Sequence, residues 1–215
     1  MPKVYSCGVE YQNAEELCMV VCGSLAGISR VPAVSYWARY RVFATGRIEI
    51  SIEAQKNANL KYLPRFGVEF TLPETKEILE YYGRGPEECY PDLCHHAKTG
   101  RYRSTVSDQY VPYIKPQEHG NHVDTRELLV KDGKSGLLFE TDSAFEFQAS
   151  HYTAEELTQK RHYDELMPSG KTIVRIDYKS SGIGSASCGP ELLEKYQFKE
   201  EHIFHRFTLR PVSSN

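Results

Sequence analysis

The sequence has no hydrophobic run that approaches the roughly 20 residues needed to cross a bilayer as a helix. Its opening, MPKVYSCGVEYQ, also lacks the basic stretch followed by an apolar stretch that marks a secretory signal. We therefore expect neither a membrane partner nor a secreted protein.

An excess of positive charge is also missing. Lys and Arg number 26 against 29 Asp and Glu, a formal net charge of −3, which provides no electrostatic reason to expect nucleic acid as a partner. Cysteines are too sparse and too unevenly spaced for the disulfide framework of a small secreted domain; they occupy positions 7, 18, 22, 89, 94 and 188. We expect reduced thiols in a cytoplasmic protein.

The chain is rich in tyrosine and in short segments where apolar and polar residues alternate. It has 15 Tyr beside 9 Phe, and both residues favour pleated, half-buried surfaces. Alternation with period two predicts strands that have one buried and one wetter face; it occurs at 36–43, 47–53, 65–72, 145–150, 172–178 and 204–209. The sequence therefore predicts one all-β domain over residues 1–215, built from two packed antiparallel sheets.

Turn and helix signals punctuate these segments. Asp132-Gly133 suits a hairpin between ELLVK and GLLFE. Thr153 and Glu156 have the spacing of a capping box that opens a short helix, and Pro190 can begin a second helical turn. We expect one or two short helical turns and no long helix.

Residues 83–102, GRGPEECYPDLCHHAKTGRY, hold the highest density of reactive side chains. A phosphate loop is excluded because prolines interrupt the segment and no apolar helical stripe follows it. A zinc site is a weak alternative, since a spacing of Cys-x4-Cys is wide and neighbouring histidines point apart in an extended chain; its ligands would be Cys89, Cys94, His95 and His96. We expect no metal in this chain.

Two further loops contain groups that could perform chemistry. QEHGNHVD holds Glu118, His119 and His122, an acid and two imidazoles able to transfer protons near neutral pH. SSGIGSASCGPE is rich in Gly and Ser, so its backbone can approach a ligand closely, but no base lies near Cys188 in the sequence to activate its thiol. No pair of glutamates is placed to flank a glycosidic bond.

Four segments, in this order, resemble the C-terminal domain of the large bacterial β-galactosidases of glycoside hydrolase family 2. They are LPRFGVEFTLP at 63–73, YYGRGPEECYPD at 81–92, YVPYIKPQEHGN at 110–121 and SGIGSASCGPEL at 181–192. The resemblance implies a β-supersandwich like that of galactose mutarotase. It also implies that the GRGP stretch is a structured loop, in which Cys89 and Leu93 replace the family's usual Asn and Arg.

The same resemblance implies a division of labour. In the family both catalytic glutamates lie in a TIM barrel, and Mg²⁺ and Na⁺ are bound by other domains, so this chain would be non-catalytic alone. It would complete one wall of the active site of an enzyme that hydrolyses β-galactosides such as lactose, and would support assembly of an oligomer. We expect no cofactor in the chain itself, a beginning that is truncated, and an apolar seam where neighbouring domains belong.

The loop after Gly184 is the part that the resemblance brings to the substrate. In some family members a tryptophan on this loop packs beside the sugar's aglycone, and Cys188 occupies about that position here. A thiol has no face comparable to an indole, so Ser185 and Ser187 are predicted, with Cys188, to line the galactoside cleft.

Two alternatives remain open at this point. One is an aldose 1-epimerase of the mutarotase type, with Glu118, His119 and His122 as its acid and base groups; it rests on the likeness of folds alone. The other is a free-standing carbohydrate-binding module, which an extended aromatic face would favour.

Overall fold

The computed structural model describes residues 2–184 and 189–213. Eleven strands and one short α-helix account for most of the chain. The strands are β1 Pro2–Gln12, β2 Glu16–Leu25, β3 Val34–Phe43, β4 Ile48–Lys56, β5 Arg65–Pro73, β6 Ile78–Gly85, β7 Lys98–Thr105, β8 Asn121–Lys131, β9 Ser135–Ser150, β10 Lys171–Ser180 and β11 His202–Ser213. The helix, α1, spans Ala154–Gln159, and single 3-10 turns occur at Ser107–Gln109, Tyr163–Glu165 and Glu194–Tyr196.

Every pairing between these strands is antiparallel. The hydrogen-bonded order is β1-β2-β3-β4-β11-β9-β8-β6-β7, and β10 and β5 branch from β9. The branch arises because β9 is 16 residues long. Its first part, to Glu140, pairs with β11, whereas its last part, from Glu146, pairs with β10.

The branch folds the sheet into two layers that pack face to face. Phe70 on β5 contacts the rings of Phe139 on β9 and Phe207 on β11, at centroid distances of 5.1 and 6.1 Å. His205 on β11 lies 3.3 Å from the carbonyl oxygen of Ile176 on β10. The all-β class is therefore confirmed, but in the described residues the strands form one continuous 11-stranded sheet that turns into a second layer at β9, and not the two separate sheets that the sequence predicts.

The predicted strands all fall on observed ones. The buried side follows the alternation on β4, whereas all six residues at 145–150 are buried and β10 buries residues of both its faces. On β4, Ile50, Ile52 and Ala54 are buried, and β11 contributes Ile203, His205 and Phe207 to the same core. β6 is not among the predicted strands, because the sequence analysis interprets its GRG end as part of a loop. In the structure GRG is the end of a strand, and the loop begins only at Pro86.

The predicted hairpin turn and short helix are present, with one difference in the helix cap, but Pro190 does not begin a helical turn, since the 3-10 turn that follows it starts only at Glu194. Asp132 closes the β8–β9 hairpin, since its carboxylate accepts hydrogen bonds from the amides of Lys134 and Ser135 at 2.7 and 2.8 Å. Thr153 caps α1 by accepting from the amide of Glu156 at 3.1 Å. Glu156 does not complete a capping box, because its carboxylate accepts from the amide of Met167 instead.

The first strand contrasts with the packed layers. Every residue of β1 is exposed, and Val4, Tyr5, Val9 and Tyr11 each expose more than a third of their surface. β1 pairs with β2 on one side only and is an edge of the sheet. Nowhere in 2–184 or 189–213 does a helix reach the length and hydrophobicity that a membrane crossing requires.

Candidate functional site

Three of the motif loops meet at one end of the sandwich, and the 86–97 loop lies between the other two. This loop connects β6 to β7. The carboxylate of Glu88 accepts hydrogen bonds from the amide of Gly120 at 2.7 Å and from the hydroxyls of Tyr90 and Tyr113. The amide of Cys89 also donates to the carbonyl oxygen of Asn121 at 2.6 Å. The PQEHGN loop is thus held to the GRGP loop by the half-buried Glu88 carboxylate and by a backbone hydrogen bond.

The second acid of the same loop holds the SGIG segment. Asp92 lies at the tip of a tight turn in which Tyr90 and Leu93 exchange backbone hydrogen bonds of 2.9 and 3.0 Å. Its carboxylate accepts from the amide of Ile183 at 2.9 Å and from the amide of Gly184 at 2.7 Å.

A buried acid holds the start of the SGIG segment. Glu146 on β9 accepts from both the amide and the hydroxyl of Ser180, at 3.0 and 2.6 Å, and from the side-chain amide of Asn121 at 3.1 Å. Glu146 is 6% exposed. A buried carboxylate is tolerated only where such donors replace its water.

A second buried acid lies beside it. Asp177 on β10 is the direct cross-strand neighbour of Glu146 and of Gly67 on β5. Burial raises the pKa of the Asp177 carboxyl to about 6, the guanidinium of Arg65 opposes that rise, and the negative charge of Glu146 adds to it. Arg65 approaches Asp177 at 3.5 Å and also pairs with Glu118. Its one cation is therefore shared between two carboxylates from different motifs.

Gly67 is what allows this close approach of β5 and β10. A Cβ at this position would lie 2.0 Å from the Asp177 carboxylate and 2.5 Å from the Asp177 Cα. Only glycine fits against a neighbouring backbone at such a distance. The glycine of the RFGVEF segment therefore places the Asp177 side chain.

The predicted acid and base residues Glu118, His119 and His122 are adjacent in sequence but have separate partners. Glu118 pairs with Arg65, and the Nδ1 atom of His119 lies 2.9 Å from the carbonyl oxygen of Gln117. No hydrogen bond or ion pair joins the three residues to one another within the described part of the chain. The epimerase alternative that rests on them stays a prediction.

His122 is enclosed by the protein core. Its Nδ1 lies 2.8 Å from the carbonyl oxygen of Arg84, its Nε2 lies 2.5 Å from the side-chain oxygen of Gln109, and its ring stacks on Phe147 with centroids 4.8 Å apart. Burial lowers the pKa of His122 to about 4. Both ring nitrogens are thus occupied by protein atoms.

The cysteines of the 86–97 loop pack or bond locally. Cys89 is fully buried, its sulfur accepts from the amide of Val123, and burial raises the pKa of its thiol to about 11. The thiol of Cys94 donates to the carbonyl oxygen of Pro91. No group of three or more His, Cys, Asp or Glu side chains suited to a metal ion occurs in residues 2–184 and 189–213.

The predicted galactoside contacts Ser185, Ser187 and Cys188 lie outside the described residues. The described chain reaches Gly184, which is exposed, and begins again at Gly189, also exposed. The loops at this end of the molecule are joined by four acids and one cation that the sequence analysis does not predict as site residues. They are Arg65, Glu88, Asp92, Glu146 and Asp177. A usable signal was present, since all but Glu146 lie within or beside the quoted motifs.

A comparison with solved structures identifies the fold. A galactose 1-epimerase from Lactobacillus acidophilus NCFM superposes with a TM-score of 0.52 at 13% sequence identity, over 98% of this chain and 67% of that one. At this identity the likeness concerns the fold alone, which is the galactose mutarotase-like one that the sequence predicts.

Comparisons of sequence identify the family. The β-galactosidase of Actinobacillus pleuropneumoniae is 40% identical over 203 residues, and that of Staphylococcus xylosus is 33% identical over 201 residues. Each match covers 94% of this chain but 20% of the relative, so the chain spans about a fifth of the length of these proteins. The family model described as Beta galactosidase small chain matches residues 4–209. The chain therefore belongs to the β-galactosidase small-chain family and corresponds to one small domain of such proteins.

Proposed function

We propose that the chain works as the C-terminal domain of a β-galactosidase that hydrolyses terminal β-galactosides such as lactose. In this role it is non-catalytic alone and completes one wall of the active site, to which the loop beginning at Ser185 contributes Ser185, Ser187 and Cys188. The catalytic glutamates, and the sites for Mg²⁺ and Na⁺, belong to the other domains. The working enzyme is a cytoplasmic oligomer.

One structural observation carries this proposal. From Ser180 to Gly184, five successive backbone amides all have hydrogen-bond acceptors: the Glu146 carboxylate, the carbonyl oxygens of Pro64 and Tyr196, and, for the last two amides, the Asp92 carboxylate. Loops at a surface normally leave many such groups to water. A segment that runs from the buried end of β10 to the exposed Gly184 with every amide bonded is suited to presenting residues to a substrate in a fixed geometry.

The exposed first strand supports the need for other domains. Within residues 2–184 and 189–213 no strand pairs with the second side of β1, and β1 exposes Val4, Tyr5, Val9 and Tyr11. An exposed, apolar edge strand favours association and is usually covered in a finished assembly. We assign this edge to contact with the rest of the enzyme.

The proposal is tested by reconstitution. The Actinobacillus pleuropneumoniae relative is prepared without the fifth of its length that matches this chain, and the two pieces are assayed separately and mixed with a nitrophenyl galactoside. We expect hydrolysis only in the mixture. Turnover by the 215-residue chain alone, or none in a mixture in which the pieces are shown to associate, would contradict the proposal.

A carbohydrate-binding role has one specific observation in its favour. Trp37 and Phe204 are 51% and 56% exposed, and both are cross-strand neighbours of Glu53, so the three side chains share one face of the sheet. Aromatic faces flanking a carboxylate can bind a sugar ring and its hydroxyls. Titration of the isolated chain with lactose by proton NMR would reveal binding without turnover, and loss of that binding in Trp37→Ala would locate it.

A further inference from the structure

The hydrogen bonds of the Ser180–Gly184 segment are not distributed evenly. The first three amides are held from different sides by Glu146, by the carbonyl oxygen of Pro64 at 2.8 Å and by that of Tyr196 at 3.0 Å. The last two, those of Ile183 and Gly184, depend on the single carboxylate of Asp92. Removal of one side chain thus frees two consecutive amides at the point where the described segment ends.

Two glycines of the segment lie directly against the same carboxylate. A Cβ on Gly182 would lie 2.5 Å from the Asp92 Cγ, and a Cβ on Gly184 would lie 2.9 Å from its Oδ2. Both distances are shorter than real contacts allow, so the Asp92 carboxylate occupies the space that side chains would otherwise fill. The backbone of this segment and the Asp92 side chain fit only as a pair.

Asp92 is itself presented by rigid surroundings. It occupies a two-residue turn closed by reciprocal backbone hydrogen bonds between Tyr90 and Leu93. Tyr90 is 1% exposed, and its hydroxyl donates to Glu88, which also holds Gly120. Rigid support for a contact residue is what positions a second group accurately.

We propose that Asp92 is a positioning residue for β-galactoside hydrolysis. By accepting from the amides of Ile183 and Gly184 it fixes the backbone that directly precedes the proposed substrate contacts in the sequence. It acts through the backbone of Ile183 and Gly184 and contacts no reacting atom. This role depends on the proposed function, whereas the hold on the two amides is a property of the isolated chain.

The first experiment examines the isolated chain by amide hydrogen exchange. Asp92→Ala removes both acceptors, and Asp92→Asn keeps one oxygen acceptor at the same size. Glu87→Ala is the matched control, because Glu87 lies on the same loop, is exposed, and forms no hydrogen bond or ion pair with the described residues.

We expect protection of the Ile183 and Gly184 amides to fall at least tenfold in Asp92→Ala and by less in Asp92→Asn. Protection at Ile176 in β10 should be unchanged in both, and Glu87→Ala should match the wild type throughout. Unchanged protection at Ile183 and Gly184 in Asp92→Ala would overturn the proposal.

The second experiment measures kcat and KM of the reconstituted enzyme with the same variants. A positioning role predicts that KM for a nitrophenyl galactoside rises at least fivefold in Asp92→Ala, with an intermediate value in Asp92→Asn. A purely structural role would reduce the amount of active enzyme and leave KM unchanged, and that result would overturn the positioning role alone. If the wild-type chain restores no hydrolysis, the proposed function and the positioning role both fall, and hydrogen exchange still reports on the two amides.

Discussion

Acidic side chains are buried in one region of this molecule and exposed in another. Where the motif loops converge, Glu146 and Asp177 are buried as direct neighbours, and Glu146 accepts hydrogen bonds from donors on two strands, β8 and β10. On β1, Glu10 is exposed and pairs with Arg39 at 3.1 Å across the sheet surface. A surface ion pair of this kind contributes little, whereas a buried carboxylate leaves several groups without partners when it is removed. The converging end is therefore where the fold depends on individual side chains.

The largest difference between the two ends should come from removing one glutamate from each. Glu146→Ala leaves the amide and hydroxyl of Ser180 without their acceptor and leaves the Asn121 side-chain amide with the Cys89 carbonyl oxygen alone, so we expect it to lower the free energy of unfolding by about 3–5 kcal/mol. Glu10→Ala should leave that free energy close to the wild-type value, because water screens an exposed ion pair. Urea denaturation of both variants checks this, and equal losses would mean that the converging end has no special dependence on its acids.

Glycine-to-alanine substitutions compare the converging end with β1 through steric contacts alone. At Gly67 the new Cβ would meet the backbone as well as the carboxylate of Asp177, so we expect a loss of about 3 kcal/mol, at the upper end of what overpacking costs. At Gly8 on β1 nothing lies within 4 Å, and the same change should raise stability by about 0.5 kcal/mol through the unfolded chain. Thermal unfolding of the pair decides the point, and a stable Gly67→Ala would show that β5 and β10 are not closely packed.

The pH dependence of stability should also reflect burial. Burial lowers the pKa of His122 and His205 to about 4, so the unfolded chain binds their protons more tightly, and stability is lost as pH falls from about 6.5 toward 4. Asp177 has the opposite effect on stability. Its pKa is raised to about 6 in the folded state, so the free-energy cost of its buried negative charge decreases as pH falls.

With about 1.4 kcal/mol for each pKa unit, these groups together predict a net loss of about 2 kcal/mol between pH 7 and pH 5. Urea midpoints at the two pH values measure it. His205→Gln should reduce the difference, and a variant with the full wild-type pH dependence would show that His205 is not the buried base described here.

The smallest effect on the isolated chain should come from the edge strand. Val9→Lys places a charge at a residue that is 57% exposed, so we expect its free energy of unfolding to stay within about 0.5 kcal/mol of the wild type. Association with the remaining four fifths of the enzyme should weaken at least tenfold, as measured by calorimetry. Unchanged association would remove β1 from the interface.

The strands that the sequence predicted share one property, a regular alternation of apolar and polar residues, although the end of β9 and β10 bury residues of both faces. RIEISIE and RFGVEFTL lie on β4 and β5 because one face of each must be buried. β6 is not predicted because the glycines at its end are typical of a loop. β1 could not be expected from burial either, since none of its residues is buried in this chain.

The functional site was also predicted only in part. The motifs quoted from the sequence are the loops that converge, but the residues first selected from them were the chemically reactive Cys and His. The structure shows His122 and Cys89 in the core, and it assigns the contacts between loops to Glu88 and Asp92. Acids that accept backbone hydrogen bonds resemble ordinary surface acids until their partners are known.

By itself, the sequence determined the β class, because alternation and turn chemistry are local properties of the chain. The quoted motifs, through their resemblance to a known family, determined the family and the order of the motif loops. Only the tertiary structure decided that Asp92 meets Ile183 and Gly184, 91 and 92 positions away, and that Asp177 faces Glu146 across two strands. Such contacts are set by strand register and by the branch at β9. Register depends on the packing of both layers at once, and no local pattern records it.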